Sequence, residues 1–376
     1  MKKFYSIIAL LLLLSASSSA TIRRVGFFAA FVINVDYSSF GAAYTASAAG
    51  DTILVFPGIA PINQTLTKKL IIIGTGDWLN PSTTPKGNAN QQAFAGVVTV
   101  AQIIFGPGSD GSTIMGLEGG TYYIGASNIT IRRNRELVVY LAGANPAVAT
   151  NNIQLLENYR LTVGAYYTNG STVTGINVSN NFIASFTTGT GNTYNGNISN
   201  NVWAYDETQN AGALNGGASV LSSANAVELG GGAYLLQNNI FCSYTIGSSY
   251  NYFGFSNGGN TIFNYNLALQ TTAGAAQTWG PGTGNVITPV ANAAAIFAAW
   301  PAIGSNTADA RYQLAAGSPA LTTGAGGTPI GMFAGTTPYK LSMVPSIPSI
   351  YQLSSPQGNN PPGSTIQISV STRGNN

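Results

Sequence analysis

The segment ITIRRNREL, residues 129–137, carries the pattern that decides the fold: an alternating apolar run ends in asparagine, and a second apolar run follows. Five later segments repeat it, namely IQLLENYRL (153–161), INVSNNFIA (176–184), NISNNVWAY (197–205), YLLQNNIFC (234–242) and IFNYNLALQ (262–270). The shared asparagines are Asn134, Asn158, Asn181, Asn201, Asn239 and Asn266. Their steps of 24, 23, 20, 38 and 27 residues are typical of a solenoid, and the period-2 alternation indicates a β-solenoid.

Apolar columns flank the asparagine when the six segments are aligned on it. Three places before it stand Ile131, Leu155, Val178, Ile198, Leu236 and Phe263. One place after it stand Arg135, Tyr159, Phe182, Val202, Ile240 and Leu267, in which Arg135 is the exception. This pattern predicts a bend between two strands. The asparagines would stack from coil to coil at about 4.8 Å, and each amide would bond the next amide and the backbone freed at the bend.

Two charge pairs support this register. Arg133 would lie beside Glu157 on the next coil, and Glu136 beside Arg160. Opposite charges are favoured as neighbours across strands. We expect both pairs to be exposed and to contribute about 0–1 kcal/mol each.

The two ends of the chain differ from the repeats. Residues 1–20 read as a secretory signal, with Lys2 and Lys3 before an apolar run that is too short to span a bilayer. Residues 21–335 are predicted to form the β-helix domain, in which an amphipathic helix over residues 37–49 caps the open end. Residues 336–376 are predicted to be a Pro- and Ser-rich tail with one last strand.

Composition excludes several classes of function. Charged residues make up 7% of the chain, and the 14 basic residues become 12 against 11 acidic ones once Lys2 and Lys3 are removed, a net charge of +1. The sequence contains no basic stripe of the kind that nucleic-acid binding requires. There is no histidine, the commonest general base and metal ligand. The single Cys242 occupies an apolar position and is expected to be a buried small hydrophobe. We expect a secreted or cell-surface monomer without a transmembrane segment in the mature chain.

Together with the asparagine repeat, two further stretches carry a resemblance to a known family. GDTILVFPG (50–58) followed by KLIIIGTG (69–76) resembles the start of many secreted bacterial β-helix proteins, and YQLAAGSPALTTGAGGTPIGMF (312–333) resembles a segment that often closes the helix. The chain thus resembles the right-handed parallel β-helix of the pectate-lyase-like superfamily, and its tail resembles those of Bacteroidetes secreted proteins. The resemblance implies an all-β fold, but that superfamily contains lyases, hydrolases, epimerases and adhesins.

The same resemblance implies which residues catalysis would require. Lyases of this fold need clustered acids for Ca²⁺ and a Lys or Arg base, and polygalacturonase-type hydrolysis needs several close Asp and a His. The acidic residues here are scattered in the sequence, and only Asp206 and Glu207 are adjacent. We therefore expect no metal and no cofactor, with Ca²⁺ only under the lyase alternative. Stacked coils would still be able to bring distant carboxylates to the roughly 5–9.5 Å that hydrolysis requires.

The best candidate site in the sequence is the long step between Asn201 and Asn239. A loop is predicted to leave the stack after Tyr205, with Trp203 facing outward at its root. Aromatic rings stack on sugar faces, and amides bond hydroxyl groups. The predicted glycan-binding residues are Trp203, Tyr205, Asp206, Gln209, Asn210 and Tyr244, and the catalytic candidates are Asp206, Glu207 and Glu228. The alternative is a loop that packs its own aromatics against the helix wall.

Tyrosines elsewhere, including Tyr122–Tyr123 and Tyr166–Tyr167, are a weaker candidate for a long binding face. The sequence therefore favours a non-catalytic β-helix that binds glycan or serves adhesion or surface structure. The alternative is a polysaccharide lyase or glycoside hydrolase. The two differ in one geometric feature: an enzyme would gather three or more carboxylates in one groove, whereas a binder would leave them scattered or paired with arginine.

Overall fold

Two long parallel sheets dominate the computed structural model. It describes residues 20–26, 35–77, 96–142, 149–165, 170–188, 191–204, 227–229, 232–242, 260–270, 279, 281–289, 293–299, 309–346, 349–354 and 369–373. The first sheet contains β1 (Ile22–Val25), β2 (Thr52–Val55), β4 (Ile71–Ile73), β6 (Thr113–Met115), β8 (Thr130–Arg132), β10 (Thr150–Asn151), β11 (Gln154–Leu156), β13 (Thr172–Ser179), β15 (Thr193–Ser199), β18 (Ala233–Gln237) and β20 (Ile262–Asn264).

The second sheet contains the strands that alternate with these along the chain. They are β3 (Ile62–Leu66), β5 (Val100–Phe105), β7 (Thr121–Ile124), β9 (Val138–Leu141), β12 (Leu161–Ala165), β14 (Phe182–Thr187), β16 (Val202–Ala204), β17 (Val227–Glu228), β19 (Ile240–Cys242), β21 (Leu267–Gln270) and β22 (Val286–Pro289). Most turns of the chain therefore add one strand to each sheet, parallel to the one before, and the two additional short strands β10 and β17 pair in parallel with β13 and β14. The predicted fold class, a parallel β-helix, is confirmed.

The apolar column three places before the asparagine lies inside the helix. Ile131, Leu155, Val178, Ile198, Leu236 and Phe263 are direct neighbours in the register of the first sheet, and each is fully buried. Between the sheets they meet inward side chains of the second sheet, among them Val139, Val163 and Phe186. Because a one-residue slip would turn every one of these side chains outward, burial fixes the register.

The asparagine ladder is confirmed and is one member longer than predicted. The backbone N–H and the side-chain amide of each asparagine donate to the Oδ1 of the next, from Asn134 onward. Asn266 donates in the same way to Asn285, which the alignment missed. From Asn158 onward, each side-chain amide also donates to a backbone carbonyl of the preceding coil.

The residue just before each ladder asparagine has a positive φ. The column reads Arg133, Glu157, Asn180, Asn200, Asn238, Tyr265 and Gly284, with φ between 54° and 70°. Asparagine and glycine tolerate this left-handed conformation best, which explains the repeated Asn-Asn pairs. Asn134 and Asn158 are followed two places later by a second left-handed residue, Glu136 and Arg160. The coils from Asn181 onward lack this extra residue.

An amphipathic helix lies near the start, as expected. Helix α1 (Phe40–Ala46) begins after Ser39, whose hydroxyl accepts from the N–H of Ala42, and it buries Phe40 and Ala43 against β1 and β2. Lys68 donates to two carbonyls at its end, those of Tyr44 and Ser47.

A C-terminal cover packs outside the second sheet. This cover comprises residues 293–299, which include α2 (Ala293–Ile296), and residues 309–346, which include 3₁₀ turns at Asp309–Tyr312, Pro319–Leu321, Ala325–Gly327 and Leu341–Met343. It forms a second apolar core over the column Tyr159, Phe182, Val202, Ile240 and Leu267. The Asn180 side chain donates to the carbonyls of Met332 and Ala334. The column one place after the asparagine is therefore apolar because the cover buries it from outside.

The predicted tail begins with part of this cover, since Tyr339, Met343 and Val344 are buried. Strand β24 (Ser369–Arg373) matches the expected last strand, and it pairs antiparallel with β23 (Ser349–Ser354), a pairing that was not predicted. The signal segment lies outside the described residues except Ala20.

We predict that Asn181→Ala destabilises the protein by about 1–3 kcal/mol for each buried group left unpaired. The Asn181 amide donates to the carbonyls of Leu155 and Ser179 and to Oδ1 of Asn201. Urea unfolding measures the loss. Asn197→Ala, which removes a half-buried outward amide with one long bond to Ser199, is the matched control. Equal stability of the two variants would contradict the structural role of the ladder.

Candidate functional site

Most of the predicted binding loop lies outside the described residues. This applies to Tyr205, Asp206, Glu207, Gln209, Asn210 and Tyr244, so their grouping stays a prediction. Glu228 belongs to β17, where its backbone pairs with Thr187 of β14, and its side chain is not described. Tyr166 and Tyr167 are also outside the described part of the chain.

The predicted outward orientation of Trp203 is wrong. Its side chain is 3% exposed and belongs to the interior core, where its ring stacks on Phe241 at 5.2 Å between centroids. The reason is the missing left-handed residue. Arg160, the second residue after Asn158, has a positive φ, so Leu161 is the first inward residue of the strand that follows. The later corners lack such a residue, and the register aligns Leu161 with Ile183 and Ile183 with Trp203. Trp203 is therefore the first inward residue of its own strand. A ring inside the helix is not available as a stacking platform for a ligand.

Cys242 is buried as predicted, in the outer core under the cover. Burial raises the pKa of its thiol, which suits an inert apolar side chain.

Much of the charge of the chain gathers at the asparagine corner of the first coils. We call this group, formed by Asp77, Glu118, Arg135, Glu136 and Arg160, the charged corner. Arg135 contacts Asp77, Glu118 and Glu136, and Arg160 donates to Glu136 at 2.8 Å. Arg135 is the one charged residue in the column one place after the asparagine. It forms ion pairs, whereas the later residues of that column are buried under the C-terminal cover. The predicted pair Glu136–Arg160 is confirmed.

The second predicted pair forms, but it is buried rather than exposed. Nε of Arg133 lies 2.6 Å from Glu157, and the two side chains are 0% and 1% exposed. Arg132 also contacts Glu157, and Nη1 of Arg133 donates to the carbonyl of Val344 in the cover. The cover is what removes this pair from water, and burial lowers the pKa of Arg133 while Glu157 opposes that shift.

The carboxylates of the described residues have partners, including the three that the charged corner brings together around Arg135. Among the described acidic side chains, arginine pairs are Asp36–Arg24, Asp51–Arg23, Asp77–Arg135, Glu118–Arg135, Glu136–Arg160 and Glu157 with Arg132 and Arg133. Asp110 accepts from the N–H of Ser127, and Asp309 accepts from Tyr339 and Ser342. In the same part of the chain, no group of three or more acidic or cysteine side chains is arranged to hold a metal ion.

Burial and the neighbouring charges both act on Glu118 in the charged corner. Burial raises the pKa of Glu118 above its ordinary value of 4.5; Arg135 opposes this shift, and the charges of Asp77 and Glu136 add to it. Because folding raises this pKa, the contribution of Glu118 to stability is fully present below pH 4.5 and is lost as the pH rises through the folded-state value.

An uncharged face lies beside the charged corner, on the outside of the second sheet. Two outward columns cross β3, β5, β7, β9 and β12, and we call them together the tyrosine face. The column nearer the corner reads Asn63, Gln102, Thr121, Val138 and Thr162. The other column reads Thr65, Ile104, Tyr123, Tyr140 and Gly164. All ten residues are half-buried or exposed.

Two stacked tyrosines form the centre of this face. The rings of Tyr123 and Tyr140 lie 5.3 Å apart between centroids, at 27° to one another. Tyr140 leans over Gly164 on the next coil, where a β-carbon would come within 3.0 Å of its Cε1. Two rings and a bare backbone thus make an apolar strip beside a column of amide and hydroxyl groups. Tyr123 was among the tyrosines considered from the sequence, whereas Tyr140 was missed, although the alternation of VVYL in β9 places it outward.

None of the helices in the described residues is long and apolar enough to cross a membrane.

We predict that Glu157→Gln destabilises the protein by about 3–5 kcal/mol, because it leaves the Arg133 guanidinium buried without a counter-charge. The matched control is Glu136→Gln in the exposed pair with Arg160, where about 0–1 kcal/mol is expected. Urea unfolding of both variants measures the difference. A loss for Glu157→Gln no larger than that for the control would show that water reaches Arg133.

Comparison with known proteins gives one distant likeness. No protein-family model and no curated protein sequence matches the chain. Among solved structures, the chain is similar to the crystal structure of pectate lyase Pel9A, with 14% sequence identity and a TM-score of 0.40 over 85% of this chain and 98% of that chain. The assignment as a parallel β-helix rests on the sheet topology of the chain itself.

Proposed function

We propose that this protein is a secreted or cell-surface β-helix that binds glycan without transforming it, and that the tyrosine face is its binding surface. The observation that carries the proposal is the stacked pair Tyr123–Tyr140 beside a column of amide and hydroxyl groups. Aromatic rings offer stacking surface to the apolar faces of sugars, and amides and hydroxyls donate to and accept from sugar hydroxyls. Gln102, Thr121 and Thr162 supply such groups.

The pairing of the carboxylates favours binding over catalysis. A lyase or hydrolase needs a carboxylate or a cation that is available to the substrate. In the described part of the chain, each acidic side chain already has an arginine or a hydrogen-bond donor as partner. The catalytic alternative therefore rests on Asp206, Glu207 and Glu228 in and after the long loop, with Ca²⁺ if the reaction were lyase chemistry.

The long loop also supplies a second candidate for glycan contact. Tyr205, Asp206, Gln209, Asn210 and Tyr244 combine aromatic, acidic and amide side chains in the segments that follow β16 and β19. This candidate no longer includes Trp203, which faces the interior.

We predict that Tyr140→Ala weakens retention on polysaccharide by about 2- to 10-fold, as expected for the loss of one aromatic stacking partner. Affinity electrophoresis of the mature protein in gels that contain one polysaccharide each measures retention, and a parallel assay for reducing ends and unsaturated products detects turnover. Leu235→Ala, a half-buried outward residue on the first sheet, is the matched control.

Gly164→Ala tests the same surface without removing a ring. Its added methyl group would displace the Tyr140 ring, so retention should again fall. Retention that is unchanged in both variants, or turnover that Asp206→Asn abolishes, would contradict the proposal.

A further inference from the structure

We infer that the ligand of the tyrosine face is a neutral, extended polysaccharide whose chain lies along the solenoid axis and contacts about four to five sugar residues. This inference rests on the proposed function and specifies its substrate class. It follows from the charge of the face, the direction of its two columns and the number of coils that they cross.

The face contains no charge with which to bind an acidic sugar. None of its ten residues is an aspartate, glutamate, lysine, arginine or histidine. A uronate carboxylate in a binding site is ordinarily matched by arginine or lysine. Arg135 and Arg160, which precede the near-column residues Val138 and Thr162 by three and two places, are both engaged by carboxylates of the charged corner.

The charged corner would instead repel an acidic polymer. It holds two arginines, Arg135 and Arg160, against three carboxylates, Asp77, Glu118 and Glu136. Glu136 is exposed and stands two residues before Val138, which belongs to the near column of the face. A polyuronate laid on the face would therefore bring its carboxylates toward net negative charge.

The columns set the direction in which a chain would lie. Each column runs across the strands, along the stacking direction, with about 4.8 Å between successive side chains. This spacing is comparable to the length of one pyranose residue in an extended chain. The two columns are about 6.6–7 Å apart, because they are two residues apart on each strand. Successive sugars would thus lie over Ile104, Tyr123, Tyr140 and Gly164, with Gln102, Thr121 and Thr162 along one edge.

The length of the face predicts the length of the ligand. Five strands, β3, β5, β7, β9 and β12, cross it, which corresponds to about 19 Å from the first strand to the last. Sugars beyond this span would pass outside the two columns and add no contact with them.

The experiment is calorimetric titration of the mature protein with two oligosaccharide series, from disaccharide to octasaccharide. One series is neutral (xylo-, gluco- and manno-oligosaccharides), and the other is acidic (oligogalacturonates). The expected result is binding to a neutral series, with affinity that rises up to a tetra- or pentasaccharide and then levels off. Tyr123→Ala and Tyr140→Ala should weaken it by about 2- to 10-fold each, and Leu235→Ala should not.

The contradicting results separate the inference from the proposed function. Oligogalacturonate binding equal to or tighter than neutral binding, and weakened by Tyr140→Ala, would overturn the neutral class and leave glycan binding standing. Affinity that stays flat from disaccharide to octasaccharide would overturn the axial arrangement. If neither the oligosaccharides nor the polysaccharides bind, the inference and the proposed function both fail.

Discussion

The hydrogen bonds from each ladder asparagine to the next are the interaction on which the rest of the structure depends. At each corner, one buried Oδ1 accepts both the backbone N–H and the side-chain amide of the preceding asparagine, as Asn181 does for Asn158. The bend would otherwise leave backbone groups unpaired inside the protein, which is costly. The corner also requires a left-handed residue just before the asparagine, so most of these positions hold asparagine or glycine, and Arg133, Glu157 and Tyr265 adopt the same conformation.

The corner geometry decides which side chains become a surface. The extra left-handed residues Glu136 and Arg160 lengthen the first two corners and place charge outside. From Asn181 onward the strand resumes directly after the asparagine, so the second residue after it turns inward. Trp203 holds this position after Asn201 and is therefore part of the core. The cover then buries the outer column of these later coils. The two outward columns on β3, β5, β7, β9 and β12 contain none of the residues of this second core. They form the tyrosine face.

The repeating elements of this fold could be read from the sequence because they depend on local periodicity. The six asparagines, the interior column and both charge pairs follow from one alignment. The cover could not be foreseen, because it joins residues far apart in the chain, such as Asn180 and Met332 or Arg133 and Val344. For the same reason the Arg133–Glu157 pair was expected in water and lies out of it. Asn285 was missed because the residues before it, GPGTG (280–284), do not form the apolar run that precedes the other ladder asparagines.

The candidate site was harder to predict than the fold. Trp203 and the acidic loop stood out by residue type, but the direction of a side chain depends on one residue at the corner before it. Tyr140 and Gly164 become meaningful only through their register with Tyr123. The most direct measurement is hydroxyl-radical footprinting of tyrosines with and without a neutral polysaccharide that the protein retains. The account predicts protection of Tyr123 and Tyr140, with the corner residue Tyr265 unchanged. Protection of Tyr205 and Tyr244, with no change at Tyr123 and Tyr140, would contradict it and place the ligand at the segments that follow β16 and β19.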